Sequence, residues 1–275
     1  MTIDFTDDEF VSVYDNCPLW SAQFVNTVLD KLVFIEDAVV LDIGTGTGVP
    51  ALEIAERMGK KSIIYAIDHW STALKRAELK ATHLGVKNVV FKNASALDTT
   101  FQDDYFDYVI SNNCLNNIDD YDVALNECYR VLKPGGRIIQ IFNLPESLQE
   151  FYDVFKTLLV EKGMSLEVEA LYNHIHQKRK STENTIKATE QVGFKVVDIS
   201  EHCFPWRFNN GTSLLNYSFV QMAWLPSWHQ IVSETQRDAF FSELEKRLNI
   251  YAGENNGLNL KIPYACVVAK KEKML

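Results

Sequence analysis

Three glycines at alternate positions, Gly44, Gly46 and Gly48, follow an acid at Asp42, and a second acid, Asp68, stands 24 residues after the first glycine. Residues of these types at this spacing are suited to holding a small ligand. The glycines remove the Cβ atoms that would keep a ligand off the turn. The free N–H groups at the start of a following helix then face an anionic group, and Pro50 fits that first turn because it has no N–H to leave unpaired. Asp68 closes an apolar run, where a carboxylate can accept hydrogen bonds from both hydroxyls of a ribose; its other reading is a plain helix N-cap.

The elements that must position these residues are legible from periodicity. The apolar run Ala38 to Leu41 reads as a buried parallel strand, with Leu52, Ile54 and Ala55 in the helix after it. Ser62 to Ile67 forms a second strand, and Trp70, Ala73, Leu74, Ala77, Ala81 and Leu84 recur at helical spacing, which leaves His69 at the turn between. Val89 to Phe91 leads as a third strand to Asn93, Ala94 and Ser95, and Phe106 to Ile118 supplies a fourth strand and a polar loop, Ser111-Asn112-Asn113-Cys114. Leu125, Cys128, Tyr129 and Leu132 mark a helix that Lys133-Pro134-Gly135-Gly136 ends, turning the chain into a fifth strand at Ile138 to Phe142. Five alternating strand-helix units predict a doubly wound α/β sheet with ligands at the carboxyl ends of its strands.

A dinucleotide fingerprint requires G-x-G-x-x-G, and here Val49 occupies the last position. Instead D-x-G-x-G-x-G, with V-L-K-P-G-G further on, resembles the class I S-adenosylmethionine (SAM) dependent methyltransferases, in particular their small-molecule, type 11-like members. The resemblance covers residues 39–142 and, more weakly, 193–199 and 260–270. It implies a mostly parallel, Rossmann-like seven-stranded sheet whose last strand is antiparallel, inserted between the fifth and sixth. It further implies that Asp42, Gly44, Thr45, Gly46 and Gly48 hold the methionine part of SAM and that Asp68 and His69 meet the ribose and adenosine. Asn93, Ala94 and Ser95 would meet adenine, with Asn93 standing where the family usually has an acid. Ser111 and Asn112 would line the cofactor site, and a helix before the first strand would bring Tyr14 and Trp20 to wall it; simple packing is the alternative for both aromatics.

The methyl-acceptor side is less marked. Amino-group methyltransferases often carry N-P-P-Y where this chain has Ser111-Asn112-Asn113-Cys114, which counts against DNA bases or glutamine as substrates. Asn112 and Asn113 are candidates for the methyl-transfer site or simply a turn-forming pair. In-line displacement on a sulfonium needs little beyond alignment, so a catalytic motif is not required. A hydroxyl acceptor would need a base, for which His174, His176 and His202 are candidates, with a structural role as the alternative. N-H-I-H at 173–176 has the spacing of a strand face and suggests no metal site.

The expected organisation is a helical segment at 1–37 over the cofactor site, a SAM-binding core at 38–143 and a helical insertion at 144–192. Core strands follow at 193–203 and 260–271, with a helical, aromatic-rich cap at 204–259. The cap holds Phe204, Trp206, Phe208, Tyr217, Phe219, Trp224 and Trp228 and would enclose a small, apolar acceptor or else pack a dimer interface. A net charge of −10 argues against a nucleic-acid partner or an anionic membrane, and Lys178-Arg179-Lys180 is the only dense basic run. Five scattered cysteines, an acidic N-terminus without an apolar core, and no membrane-length apolar stretch predict a cytoplasmic, non-inserted protein, monomeric or homodimeric. Two rivals remain: an oxidoreductase binding a nicotinamide dinucleotide, which Val49 and the V-L-K-P-G-G turn oppose, and a protein that binds SAM without turnover.

Overall fold

A computed structural model describes residues 4–17, 19–177 and 179–272, so Lys178 of the basic run and the first three residues of the acidic N-terminus lie outside the described residues. The chain divides into two compact units, the first comprising Met1–Phe142, Ser181–Glu201 and Ala265–Leu275, the second Asn143–Lys180 and His202–Tyr264.

The first unit opens with α1 (Asp8–Asp15) and α2 (Leu19–Lys31), then β1 (Val39–Ile43), α3 (Val49–Met58), β2 (Ile63–Asp68), α4 (Ser71–Leu84) and β3 (Val89–Asn93). It continues through β4 (Phe106–Asn112), α5 (Tyr121–Val131) and β5 (Leu132–Asn143). In the second unit come α6 (Gln149–Glu161) and α7 (Ser165–Gln177); α8 (Thr182–Gln191) and the start of β6 (Phe194–Phe208) return to the first. Helices α9 (Gly211–Leu215), α10 (Ser218–Ala223), α11 (Leu225–His229) and α12 (Glu234–Glu254) precede β7 (Leu258–Lys271).

Strand order is β3-β2-β1-β4-β5-β7-β6, as the sequence leads one to expect, with β7 between β5 and β6. The pairs among β1 to β5 are parallel. Leu144 and Leu148 N–H donate to Pro263 and Lys261 carbonyls, one index rising as the other falls, so β7 runs antiparallel where β5 leads out. The chain winds outward from β1 to β3 and then crosses back to β4, which makes β1 and β4 the switch point where a crevice opens beyond the carboxyl ends. Below that crevice Leu41, Ile43, Phe106, Val109, Leu125, Val131 and Ile138 form one buried cluster.

Three local features, the last two of them departures from the sequence reading, have simple causes. The acidic start is helical: Asp7 caps α1 by accepting from Glu9 N–H, and Asp8 and Glu9 sit in the first turn, where the helix dipole favours acids. The sixth strand runs on to Phe208, so 204–208 is strand rather than helical cap. There Phe204, Trp206 and Phe208 are half-buried while Pro205 and Arg207 are exposed, a period of two, and Pro205 is tolerated because β6 lies at the sheet edge. The N-H-I-H segment lies on helix α7, not on a strand face, so His174 and His176 point to different sides.

The Lys133–Gly136 turn is a bulge, since two steps along β4, from Phe106 to Tyr108, match five along β5, from Leu132 to Arg137. A Cβ on Gly136 would sit 2.9 Å from Lys133 O and 3.1 Å from Asp107 O. Gly136→Ala is therefore expected to cost about 2 kcal/mol. Gly253→Ala, in α12 with nothing within 4 Å of the added carbon, should stabilise by about 0.5–1 kcal/mol. Thermal melting of the two variants beside the parent protein checks the opposite signs.

Candidate functional site

Beyond the carboxyl end of β1, the backbone folds into a tight cradle. Gly44 and Thr45 N–H both donate to the Ile67 carbonyl of β2, at 2.8 and 3.1 Å, and Gly48 N–H donates to Thr45 O at 2.8 Å. All three glycines have positive φ, +73°, +55° and +85°, a region that penalises other residues. Their missing side chains serve different ends. A Cβ on Gly44 would collide with the Cys114 side chain, and one on Gly48 would lie 2.7 Å from Ala77 Cβ, so both glycines permit close packing inside the protein. Only at Gly46 does the added carbon meet nothing within 4 Å, and there the loop is open to a ligand.

Asp68 ties this cradle to the next element. Its Oδ2 accepts from Gly46 N–H at 2.8 Å and its Oδ1 from Trp70 N–H at 2.9 Å. Helix α4 is capped at Trp70 rather than at Asp68, so the acid is more than a helix cap. A carboxylate has about four lone-pair sites, and two remain to meet a diol. His69, one residue on, is exposed, with Nδ1 3.6 Å from Asp68 Oδ1. Asn93 donates its side-chain amide to the carbonyls of Asp68 at 3.2 Å and His69 at 3.0 Å. That fixes the amide so that Oδ1 is the acceptor an adenine amino group would find. Ala94 N–H is already engaged with Asp68 O at 3.2 Å, and Ser95 Oγ accepts from Leu97 N–H at 3.1 Å.

Helix α1, inside the expected helical segment at 1–37, brings an aromatic wall to this corner. Tyr14 meets Trp70 edge-on at 5.3 Å, and Phe10 and Phe5 lie 6.3 and 5.4 Å from the same indole. Trp70 Nε1 donates to Phe5 O at 2.6 Å. Burial first, and the negative charge of Asp68 second, push the Tyr14 hydroxyl above its ordinary pKa. Asp15 clamps α1 onto α4 through Arg76 at 2.8 Å and Lys80 at 2.6 Å. Burial works to raise its pKa, but hydrogen bonds from Lys80, Thr47 of the glycine loop and Arg76 hold it below the usual value. Trp20, by contrast, packs edge-on against Phe24 within α2 at 5.6 Å. Trp70 and Asp15 thus join the candidate site, where helical periodicity reads the first as packing and gives no sign of the second; their places next to Asp68 and Tyr14 in the sequence are the available signal.

The carboxyl end of β4 closes the other side. Ser111 Oγ accepts from Leu115 N–H at 3.0 Å, which shapes the loop. Cys114 is half-buried with its side chain against Gly44, and desolvation pushes its thiol up to about 12, so it is no nucleophile. Asn113 has φ +53° and donates its N–H to Ile141 O at 2.8 Å. The side-chain oxygens of Asn112 and Asn113 are buried without a hydrogen-bond partner. So are both oxygens of Asp42, which is fully buried. Thr45 and Ala51 N–H stabilise the Asp42 charge only partly. Burial, with the neighbouring Asp68 charge, raises its pKa to about 7. His174 and His176 belong to the second unit.

An open backbone cradle at Gly46, an acid with spare lone pairs at the end of β2, and a buried acid lacking partners beneath the loop define an α/β protein built to hold an amino-acid nucleoside. These features fit SAM: an ammonium satisfies orphaned carboxylate oxygens, and a ribose diol satisfies Asp68. Comparison with known proteins agrees. The "Methyltransferase domain" family matches residues 35–188, more than half of the chain, and the chain belongs to that family. It is 36% identical over 127 residues, 45% of its length, to the ubiquinone/menaquinone biosynthesis C-methyltransferase UbiE of Vibrio vulnificus. The chain spans 49% of that relative, about half the length of the curated relatives it matches. The YcgJ protein of Bacillus subtilis superposes with a TM-score of 0.63 at 18% identity, covering 92% of this chain and 99% of that one. A Haemonchus contortus phosphoethanolamine N-methyltransferase, solved with S-adenosylhomocysteine, superposes with a TM-score of 0.53 at 20% identity, covering 91% of this chain and 53% of that one.

The raised pKa of Asp42 has a signed consequence. Between about pH 4 and 7 the folded chain holds a proton that the unfolded chain has released, so without ligand this group's contribution to stability falls as pH climbs through that window and levels off above it. Asp42→Asn should remove that decline and raise the melting stability at pH 8 by about 1–3 kcal/mol. The same variant should weaken SAM binding about tenfold or more, measured by calorimetry. Equal affinity for SAM in the two proteins would separate Asp42 from the ligand.

Proposed function

We propose that this chain binds SAM at the β1–β4 switch point and transfers its methyl group to a small apolar acceptor, leaving S-adenosylhomocysteine. The observation that carries the reading is Asp68, held by Gly46 and Trp70 N–H with two lone-pair sites left over, directly beside the one glycine of the loop that opens outward. In this reading Asp42, Thr45 and the glycine loop bind the methionine part. Asp68 takes the ribose, Asn93 Oδ1 takes the adenine amino group, and Tyr14 and Trp70 wall the nucleoside.

When bound, SAM supplies a methyl carbon on a sulfonium, open to in-line displacement. The chain's part is to orient and to exclude water, and alignment alone can supply roughly 7 kcal/mol of the barrier reduction. Asn112 and Asn113 would offer their unpartnered side-chain oxygens to an N–H or O–H of the acceptor. His174 and His176 serve as bases only for a hydroxyl acceptor. Residues 204–259 would form the acceptor region, and the quinone ring in the name of the Vibrio relative makes quinone precursors the first acceptors to assay. Five free cysteines support a reducing, cytoplasmic setting, and among the described residues no helix is long and apolar enough to cross a membrane. The charge of −10 supports a small molecule rather than a nucleic acid as partner, for a monomer or homodimer.

Titration calorimetry with SAM, S-adenosylhomocysteine and NAD is expected to show binding of the first two only. Asp68→Ala should weaken SAM at least a hundredfold, since it removes the diol acceptor and unties Gly46. NAD binding with SAM excluded would replace this reading by a dehydrogenase. Transfer of labelled methyl from SAM to an acceptor distinguishes an enzyme from a protein that only binds SAM.

A further inference from the structure

Within the second unit an arginine is seated among aromatic rings without an acid to balance it. The guanidinium of Arg179 lies 5.2 Å from the centre of the Tyr152 ring and 5.3 Å from that of Trp224. Its Nη2 donates to Tyr152 Oη at 3.1 Å, while Nη1 is buried with no hydrogen-bond partner. Among the described residues no carboxylate pairs with it. The residue as a whole is half-buried, and the arginine fork matches a carboxylate or phosphate in geometry and charge.

The group that holds this arginine is itself fully committed. Tyr152 Oη accepts from Trp228 Nε1 at 3.1 Å as well as from Arg179, so both its lone pairs are used. Its own proton is left to point at His174 Nε2, 3.3 Å away. Tyr152 and Trp228 are buried, so the hydroxyl is a fixed post rather than a mobile partner, and it cannot neutralise a cation. The fork is therefore oriented in advance, flanked by two rings, and short of one anion.

We propose that Arg179 anchors an oxyanion subsite in the second unit, which takes the carboxylate or phosphate of an otherwise apolar ligand. Resting on the methyltransferase reading, this makes the methyl acceptor an aromatic or acyl molecule bearing one acidic group. It also gives the run Lys178–Lys180 a role for its middle member beyond a solvated helix end.

Tryptophan fluorescence reads the site directly, because Trp224 and Trp228 adjoin the arginine and its tyrosine. The probes are benzoate, phenyl phosphate, inorganic phosphate and, as the uncharged isostere, benzamide. Saturable binding of benzoate or phenyl phosphate at least tenfold tighter than benzamide is expected, with that preference lost in Arg179→Gln and weakened in Arg179→Lys, which keeps charge but not the fork. Preference for benzoate assigns a carboxylate; preference for phenyl phosphate or inorganic phosphate assigns a phosphate. Equal binding of benzoate and benzamide by the parent protein, or a preference unchanged in Arg179→Gln, overturns the proposal. SAM affinity, governed by the first unit, is measured alongside. A parent protein that binds SAM but shows no preference for the oxyanion probes defeats only the subsite, whereas a parent protein that binds benzoate but not SAM defeats only the methyltransferase reading.

Discussion

The Asp68 carboxylate is the constraint on which the site depends. It receives one backbone N–H from the glycine loop after β1 and another from the turn before α4, so two separately folded strand ends share one acid. The desolvation cost of enclosing that acid is offset by these charge-assisted bonds and leaves its remaining lone pairs directed outward. The backbone carbonyl of the same residue also accepts from the Asn93 amide and from Ala94 N–H, which extends the tie to β3. Three parallel strands thus end in a single hydrogen-bonded junction, and the crevice takes its shape from it.

Around this junction the protein accepts local instability. Asp42 is buried without adequate donors, Asn112 and Asn113 carry unpartnered oxygens, and Asn113 holds a left-handed backbone. Such groups would weaken a protein selected only for folding, since each unsatisfied buried polar atom costs on the order of 1–3 kcal/mol. Their concentration at the carboxyl ends of β1 and β4, above a well-packed apolar cluster, fits a role other than holding the fold together.

Much of the sheet was legible because its signals are local. Apolar runs of strand length, glycines at turns and helical recurrence of Ala73, Leu74, Ala77 and Ala81 all act over a few residues. Asp68 and the glycine loop were legible for the same reason. What escaped depends on distance in the sequence: Asp15 reaches Arg76 and Lys80 some sixty residues away, and the value of Trp70 lies in its contact with α1 rather than in its place on α4. The length of β6 escaped for another reason. The aromatic residues from Phe204 on read as the start of the cap, whereas the place of β6 on the sheet edge lets the strand run on through Pro205. N-H-I-H reads as a strand by period, yet the surrounding α7 is long enough to impose helix.

The unequal glycines also set the order in which this loop can change over generations. Residues 44 and 114 form a matched pair in size, as do 48 and 77, so drift at either glycine is opposed by the fold itself, whatever the protein does. Gly46 has no such neighbour. A descendant released from its ligand would meet only backbone strain there, from the φ of +55°, and no collision, so a side chain at position 46, most easily an asparagine, on an otherwise intact loop would mark a lineage in which the old chemistry has fallen silent.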